Sequence, residues 1–185
     1  MLEIEEVARG CDLLLLTVPD DELPTVTSWL VNQGAIRPGQ IVLHTSGRHG
    51  ISVLEPAQRV GAIALAVHPA MTFTGTSLDL ARLEGAPFGV TAPGPFLPIG
   101  QALVVELGGE PVVLPEDARI AYHAALSHAS NHLVTLITQS QSVLERAGVE
   151  EGSPLLAPLT RAALEGVLSQ GGVALTGPVS RGDRG

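Results

Sequence analysis

Three short polar segments of this 185-residue sequence carry residue types that bind ligands or move protons. They are Val18-Pro19-Asp20, Thr45-Ser46-Gly47 and His68-Pro69, and each follows an apolar run. Small residues let a ligand approach the backbone, and the hydroxyls of Thr45 and Ser46 can bond a ribose or an amide. The imidazole of His68 can donate or accept a proton near neutral pH. The alternative for each segment is ordinary loop chemistry with a helix cap.

A fourth polar group lies on one predicted helix. Ser127 and Asn131 follow His123 by four and eight residues, and Ser130 follows Ser127 by three. These four residues therefore share roughly one helical face. That face could line a ligand crevice, lie in solvent or bond another helix. His128 and His132 have the i, i+4 spacing of metal ligands, but no Cys or carboxylate stands beside them, so no metal site is predicted.

Apolar runs bounded by turn residues predict the elements that position these groups. Strands are predicted at 12–18, 40–45, 62–67, 87–91 and 111–114. Amphipathic segments between them predict helices, and this alternation is typical of a doubly wound parallel sheet. In such sheets ligands bind beyond the carboxyl ends of the strands, which is where the three polar segments lie.

The pattern changes after Pro115. A helix without Gly or Pro is predicted over 117–147, about 45 Å long, followed by a second helix over 154–169. The sequence therefore predicts an α/β class: a sheet domain over 1–114 and an all-α domain over 115–185. The apolar stripe of the long helix is too long for a small sheet to cover, which predicts a homodimer through this helix.

Composition excludes several classes of partner. The net charge is −9, which disfavours nucleic acid, and no Lys/Arg cluster suggests an anionic membrane surface. The longest apolar runs are far shorter than the roughly 20 residues of a membrane span. The single Cys11 excludes an internal disulfide, and the acidic N-terminus lacks a basic signal region. We expect a soluble cytoplasmic protein.

Taken together, the segments resemble one family. They are similar to Rossmann-like oxidoreductases with a C-terminal helical domain of unknown function 2520, related to pyrroline-5-carboxylate reductases and the 6-phosphogluconate/3-hydroxyacid dehydrogenase clan. The matching pieces are the strand running into Val18-Pro19-Asp20-Asp21, His44-Thr45-Ser46-Gly47, His68-Pro69 with Phe73, Ser130-Asn131, and Ala174-Leu175-Thr176-Gly177-Pro178 running to Arg181-Gly182-Asp183.

The resemblance implies NADP or NAD as cofactor and hydride transfer to or from a small-molecule substrate. It implies that His68, Asn131 and Arg181 face the substrate. The residues implied to contact the ribose and nicotinamide are Val18, Pro19, Asp20, Thr45, Ser46 and Gly47.

One expected motif is absent, because no G-x-G-x-x-G occurs anywhere in the sequence. Either the fold does not bind a dinucleotide, or the chain starts after that motif. The resemblance favours the second reading and implies truncation at both ends, with strand 12–18 exposed as a sheet edge. The cofactor is then expected to bind weakly or not at all. Two alternatives stay open: a non-catalytic remnant that acts as a helix-mediated oligomerisation module, and an unrelated α/β binding protein.

Overall fold

The computed structural model describes residues 4–174 and contains a five-stranded sheet. The strands follow chain order across the sheet: β1 (Leu13–Leu16), β2 (Ile41–His44), β3 (Ile63–Pro69), β4 (Pro87–Thr91) and β5 (Glu110–Val113). The predicted α/β class and all five strands are confirmed. β1 lies at one edge and pairs only with β2, as predicted.

The sheet is mostly parallel, and the expectation of a wholly parallel sheet is wrong at one pairing. β1, β2 and β3 run parallel and so do β4 and β5, but β3 and β4 are antiparallel. Directly after β3, the Ala70 N–H donates at 2.8 Å to the carbonyl of Pro87, the first residue of β4. The chain therefore reverses its direction between β3 and β4. The intervening helix has only six residues, too few to return the chain along the sheet as a parallel connection requires.

Five helices accompany the strands, and the core forms on both faces of the sheet. Successive side chains of a strand point to opposite faces. Val42 therefore joins a cluster with Leu23, Leu30 and Leu54, while its neighbour Leu43 joins another with Leu65, Phe88 and Val104. The helices are α1 (Ile4–Gly10), α2 (Leu23–Asn32), α3 (Glu55–Arg59), α4 (Leu78–Leu83) and α5 (Leu97–Glu106).

Two helices follow the sheet, as predicted. A short 3-10 turn at Glu116–Ala118 leads into α6 (Arg119–Arg146), and α7 spans Ser153–Gln170. By residue contacts the chain divides into two compact units, Met1–His128 and Ala129–Gly185, called here the first and second unit. The division falls inside α6, and the domain boundary expected near Leu114 stays a prediction. Within the described part of the chain, no helix is long and apolar enough to cross a membrane.

Candidate active site

The register of the parallel strands brings three chain segments to one edge of the sheet. Leu16 of β1 pairs with His44 of β2, and His44 pairs with Ala66 of β3. The loops after β1 and β2 and the last residues of β3 are therefore neighbours. By chain position, seven of the expected residues lie at this edge: Val18, Pro19, Asp20, Thr45, Ser46, Gly47 and His68.

His68 is half-buried and contacts the first turns of α6. Its Nδ1 lies 2.9 Å from the Tyr122 hydroxyl oxygen, and the two rings meet edge to face with centroids 5.6 Å apart. Burial, the Arg119 charge and His123 lower the pKa of His68 from 6.5 to about 4, against a small opposing effect of Asp20. His68 is therefore neutral at physiological pH.

His44 is fully buried beside this edge and shapes the loop after β2. Its Nε2 lies 2.8 Å from the Gly50 carbonyl oxygen, and the Ser46 N–H donates to its Nδ1 at 3.2 Å. A carbonyl only accepts and an N–H only donates, so His44 carries its proton on Nε2. Burial lowers the pKa of His44 to about 4. Sequence reasoning gave this residue no role of its own, although a His at the end of an apolar strand was a usable signal.

Arg119 is the largest fully buried side chain of the described residues, and it connects β3, β4 and the loop after β2. Its Nη2 donates to the Ala66 and Gly89 carbonyls at 2.7 and 2.9 Å, and Nη1 donates to the Ser46 carbonyl at 3.2 Å. Its Nε donates to the Thr91 hydroxyl at 2.8 Å. A cation is thus held by neutral oxygens, close to His44 and His68. Nothing in the sequence pointed to it, because an Arg in the first turn of a helix is usually exposed.

Glu116 connects the start of α6 to the loop after β2. Its carboxylate accepts hydrogen bonds from the N–H groups of Ile51 and Ser52 at 2.8 and 3.0 Å. Burial alone would raise the pKa of Glu116, but the hydrogen bonds from Ser52 and Ile51 outweigh it and lower the pKa. The carboxylate lies against Gly50, where a Cβ would clash with it.

Close packing against two imidazole rings requires a glycine at position 47. Its φ is not positive, but a Cβ there would lie 2.5 Å from His123 Nδ1 and 2.8 Å from His68 Nε2. Both ring nitrogens therefore face Gly47. Among the described residues, His123 Nδ1 is a buried polar atom with no hydrogen-bond partner.

The remaining expected residues have mixed surroundings. The Ser46 hydroxyl oxygen accepts the His49 N–H at 3.1 Å, and this leaves its own proton available. Thr45 is half-buried, Pro19 precedes the turn that contains Asp20, and Val18 packs against the core. Asn131 is exposed in the second unit, whereas Arg181 lies outside the described residues.

An apolar groove of about 550 Å³ runs beside the edge strand β1. Among residues 4–174, the lining is apolar except for Thr17 and the indole N–H of Trp29, and it includes no cationic side chain. The loops after β1 and β2 are joined above the sheet edge by an ion pair of Arg48 with Asp21, 2.8 Å long. The hydroxyl and carboxylate oxygens at this edge suit ribose hydroxyls, whereas the groove offers no cation to a phosphate.

Comparison with known proteins agrees with this architecture. Residues 1–69 match the model of a Rossmann-like domain, and residues 86–185 match a model described as a domain of unknown function, DUF2520. A search of curated proteins found no match.

Solved structures that share the fold include the following three. A Thermotoga maritima protein is 26% identical with a TM-score of 0.73 over 91% of this chain. A Bacteroides fragilis protein named as an NADP oxidoreductase is 18% identical, with a TM-score of 0.75 over 94%. Pyrroline carboxylate reductase from Plasmodium falciparum, with NADP bound, is 16% identical with a TM-score of 0.63 over 90%. The chain covers 64%, 64% and 62% of these three proteins, which is less than two thirds of their length.

Proposed function

This chain belongs to the family of the domain of unknown function DUF2520, and we propose that it works as an NAD(P)-dependent oxidoreductase on a small-molecule substrate. The observation that carries this proposal is the neutral His68 at the end of β3, beside the loops that follow β1 and β2. The nicotinamide cofactor would supply or accept the hydride. Each hydride transfer to C=O or C=N needs a matching proton, and His68 is placed to move it.

The proposed roles of the other residues follow the family resemblance. Asn131 and Arg181 would bind the substrate, and Arg181 could hold a carboxylate with two parallel hydrogen bonds. The residues proposed to contact the ribose and nicotinamide are Val18, Pro19, Asp20, Thr45, Ser46 and Gly47. The internal bonds of Ser46 leave it one hydroxyl proton for this purpose.

Activity tests the reaction class directly. The chain would be mixed with NADPH or NADH and a panel of small ketones, imines and their reduced forms, while the nicotinamide absorbance is followed. We expect His68→Ala to lower kcat/KM about 100-fold or more on any substrate that reacts. The exposed His132→Ala is the matched control and should keep the wild-type rate. An unchanged rate in His68→Ala would remove His68 from the mechanism.

The cofactor is proposed to bind these 185 residues weakly or not at all. A dinucleotide pyrophosphate usually lies on a Gly-rich turn and a helix N-terminus, and the sequence has no such turn. Calorimetric titration with NADH and NADPH should give a dissociation constant of about 1 mM or weaker. Reduced nicotinamide mononucleotide, which lacks the adenosine half, should bind equally well. A micromolar constant for either dinucleotide would show a complete site.

A homodimer formed through α6 is proposed as the assembly. Ile120, Val134, Leu136 and Val143 are exposed large hydrophobic residues of this helix. Helix-mediated oligomerisation without catalysis is the second candidate function. It is favoured by one observation: among residues 129–174, only Gly152 is buried.

A further inference from the structure

We propose that Tyr122 is a positioning residue for His68: its hydroxyl donates to Nδ1 and so fixes the neutral imidazole with its proton on Nε2. The consequence for catalysis rests on the oxidoreductase function proposed above. Both residues belong to the first unit. Tyr122 was not identified from the sequence, although it is the only tyrosine in the chain.

The contact has the geometry of an O–H···N hydrogen bond. The Tyr122 oxygen lies 2.9 Å from Nδ1, and the interplanar angle of the two rings is 89°. The two side chains come from β3 and α6, so the pair also connects the strand end to the helix.

The surroundings of the phenol decide which partner donates. Burial raises the pKa of Tyr122, so the phenol keeps its proton at neutral pH. A phenol proton in this half-buried place needs an acceptor. His68 Nδ1 is the acceptor that the described residues provide. The opposite arrangement, with the proton on Nδ1, would leave the phenol proton without a partner in this half-buried place.

Two glycines of the sheet edge leave room for this arrangement. A Cβ on Gly89 would lie 3.0 Å from the Tyr122 oxygen, and a Cβ on Gly47 would lie 2.8 Å from His68 Nε2. The phenol therefore rests on β4 while Nε2 faces the loop after β2. The charged and titratable groups around His68 are Arg119 and His123 from α6, Asp20 after β1 and, through Arg119, His44.

A fixed tautomer gives a defined path for the proton. In the reductive direction, Nε2 gives its proton to the substrate oxygen or nitrogen as the adjacent carbon gains the hydride. At the same time the Tyr122 O–H proton moves to Nδ1. Nε2 then takes a proton from water and Nδ1 returns its proton to the Tyr122 oxygen, which restores the starting tautomer of His68 and the neutral phenol. The reverse sequence serves oxidation. Substrate and cofactor bring the carbon and the hydride, so only the proton passes through these residues.

Nitrogen NMR of the histidine side chains tests the proposal on the chain itself. Two-bond proton–nitrogen spectra distinguish the two neutral tautomers. We expect His68 of the wild type to carry its proton on Nε2. In Tyr122→Phe, which removes only the hydroxyl, we expect a mixture of tautomers. His44 is the internal control, because Gly50 and Ser46 fix its tautomer independently of Tyr122.

If the Tyr122→Phe variant does not fold, a second measurement tests the same contact in the wild-type sequence. Because the chain has one tyrosine, growth on 3-fluorotyrosine labels Tyr122 alone. The more acidic phenol should shift the Nδ1 resonance of His68 and leave His44 unchanged. A proton on Nδ1 of wild-type His68, or a His68 resonance that ignores the fluorine, would overturn the proposal. If the tautomer is as expected but no hydride transfer occurs, the oxidoreductase function fails while the positioning role stands.

Discussion

The two compact units differ in what their polar and apolar side chains do. In the first unit, the buried Arg119 donates four hydrogen bonds, and both ring nitrogens of the buried His44 have a backbone partner. In the second unit, residues 129–174 bury only Gly152. Buried hydrogen bonds therefore fix the positions of these side chains in the first unit. The second unit instead leaves apolar side chains exposed.

The apolar surface of the second unit is considerable. Nine of its large hydrophobic side chains are exposed within the described range: Val134, Leu136, Val143, Leu155, Leu159, Leu164, Val167, Leu168 and Val173. Helices owe most of their stability in proteins to packing of an apolar face, so two helices with so little burial gain little from each other. This difference predicts that substitutions in the first unit change folding, and that substitutions in the second change association.

Arg119→Met gives the largest expected effect. It removes the donors of three carbonyls and one hydroxyl in a buried site, and we expect the free energy of unfolding to fall by about 4 kcal/mol. Urea unfolding followed by circular dichroism measures it. Arg161→Met in the exposed part of α7 is the matched control, with an expected change below about 0.5 kcal/mol. Equal losses in both variants would contradict the comparison.

Acid should destabilise the first unit through His44. Burial lowers the pKa of His44 from 6.5 to about 4. Between these two pH values the unfolded chain therefore binds a proton at His44 that the folded chain does not bind. The contribution is fully present above pH 6.5 and is lost as pH falls toward 4. The expected loss for His44 is about 3 kcal/mol. Urea midpoints measured across this window test it.

His44→Gln should remove the part of this slope that His44 contributes, because a glutamine amide can donate to Gly50 without titrating. The part that His68 contributes should remain, because the pKa of His68 is also lowered to about 4. His132→Asn, at an exposed position of the second unit, should keep the wild-type slope. A wild-type stability that is flat between pH 6.5 and 4 would mean that His44 is not held neutral.

The sequence predicted the elements well and the site incompletely. Continuous apolar runs such as Leu13–Leu16 are strong signals for buried strands, and the polar residues after them were correctly placed at one sheet edge. The antiparallel β3–β4 pairing was missed because local pattern carries no information on the direction of a neighbour. Arg119 and Tyr122 were missed for a similar reason: their partners are 28 to 73 residues away in the chain.

Gly47→Ala tests the packing of the imidazoles. The new methyl group would lie within 3 Å of ring nitrogens of His68 and His123, so both rings or the loop must move. We expect a loss of about 2 kcal/mol in unfolding free energy, and displaced His68 resonances in NMR. Gly172→Ala is the control, since nothing lies within 4 Å of its Cβ position and its φ is not positive. A stable variant with unchanged His68 signals would contradict the close contact.

Glu116→Gln should have a smaller effect. The amide keeps one oxygen for the N–H groups of Ile51 and Ser52 but loses the charge, so charge-assisted bonds become neutral ones. Because the carboxylate is partly exposed, water screens the change and we expect a loss of about 1 kcal/mol. Glu145→Gln in the second unit should be neutral. A gain of stability in Glu116→Gln would show that burial dominates over the hydrogen bonds.

The smallest expected effect on folding comes from the exposed face of α6. The double variant Leu136→Ser, Val143→Ser changes two side chains of one helical face that are 58% and 61% exposed, so the unfolding of the first unit should change by less than about 0.5 kcal/mol. If these residues lie in the proposed homodimer interface, the same variant should shift sedimentation from dimer to monomer, because each lost apolar contact weakens association by about 1 kcal/mol or more. Gln139→Ser, a polar change on the same helix, should leave the dimer intact.

A wild-type chain that is already monomeric at micromolar concentration would contradict the homodimer, and the exposed face would then need a different partner. A variant that stays dimeric would place the interface elsewhere, with the exposed leucines of α7 as the next surface to change.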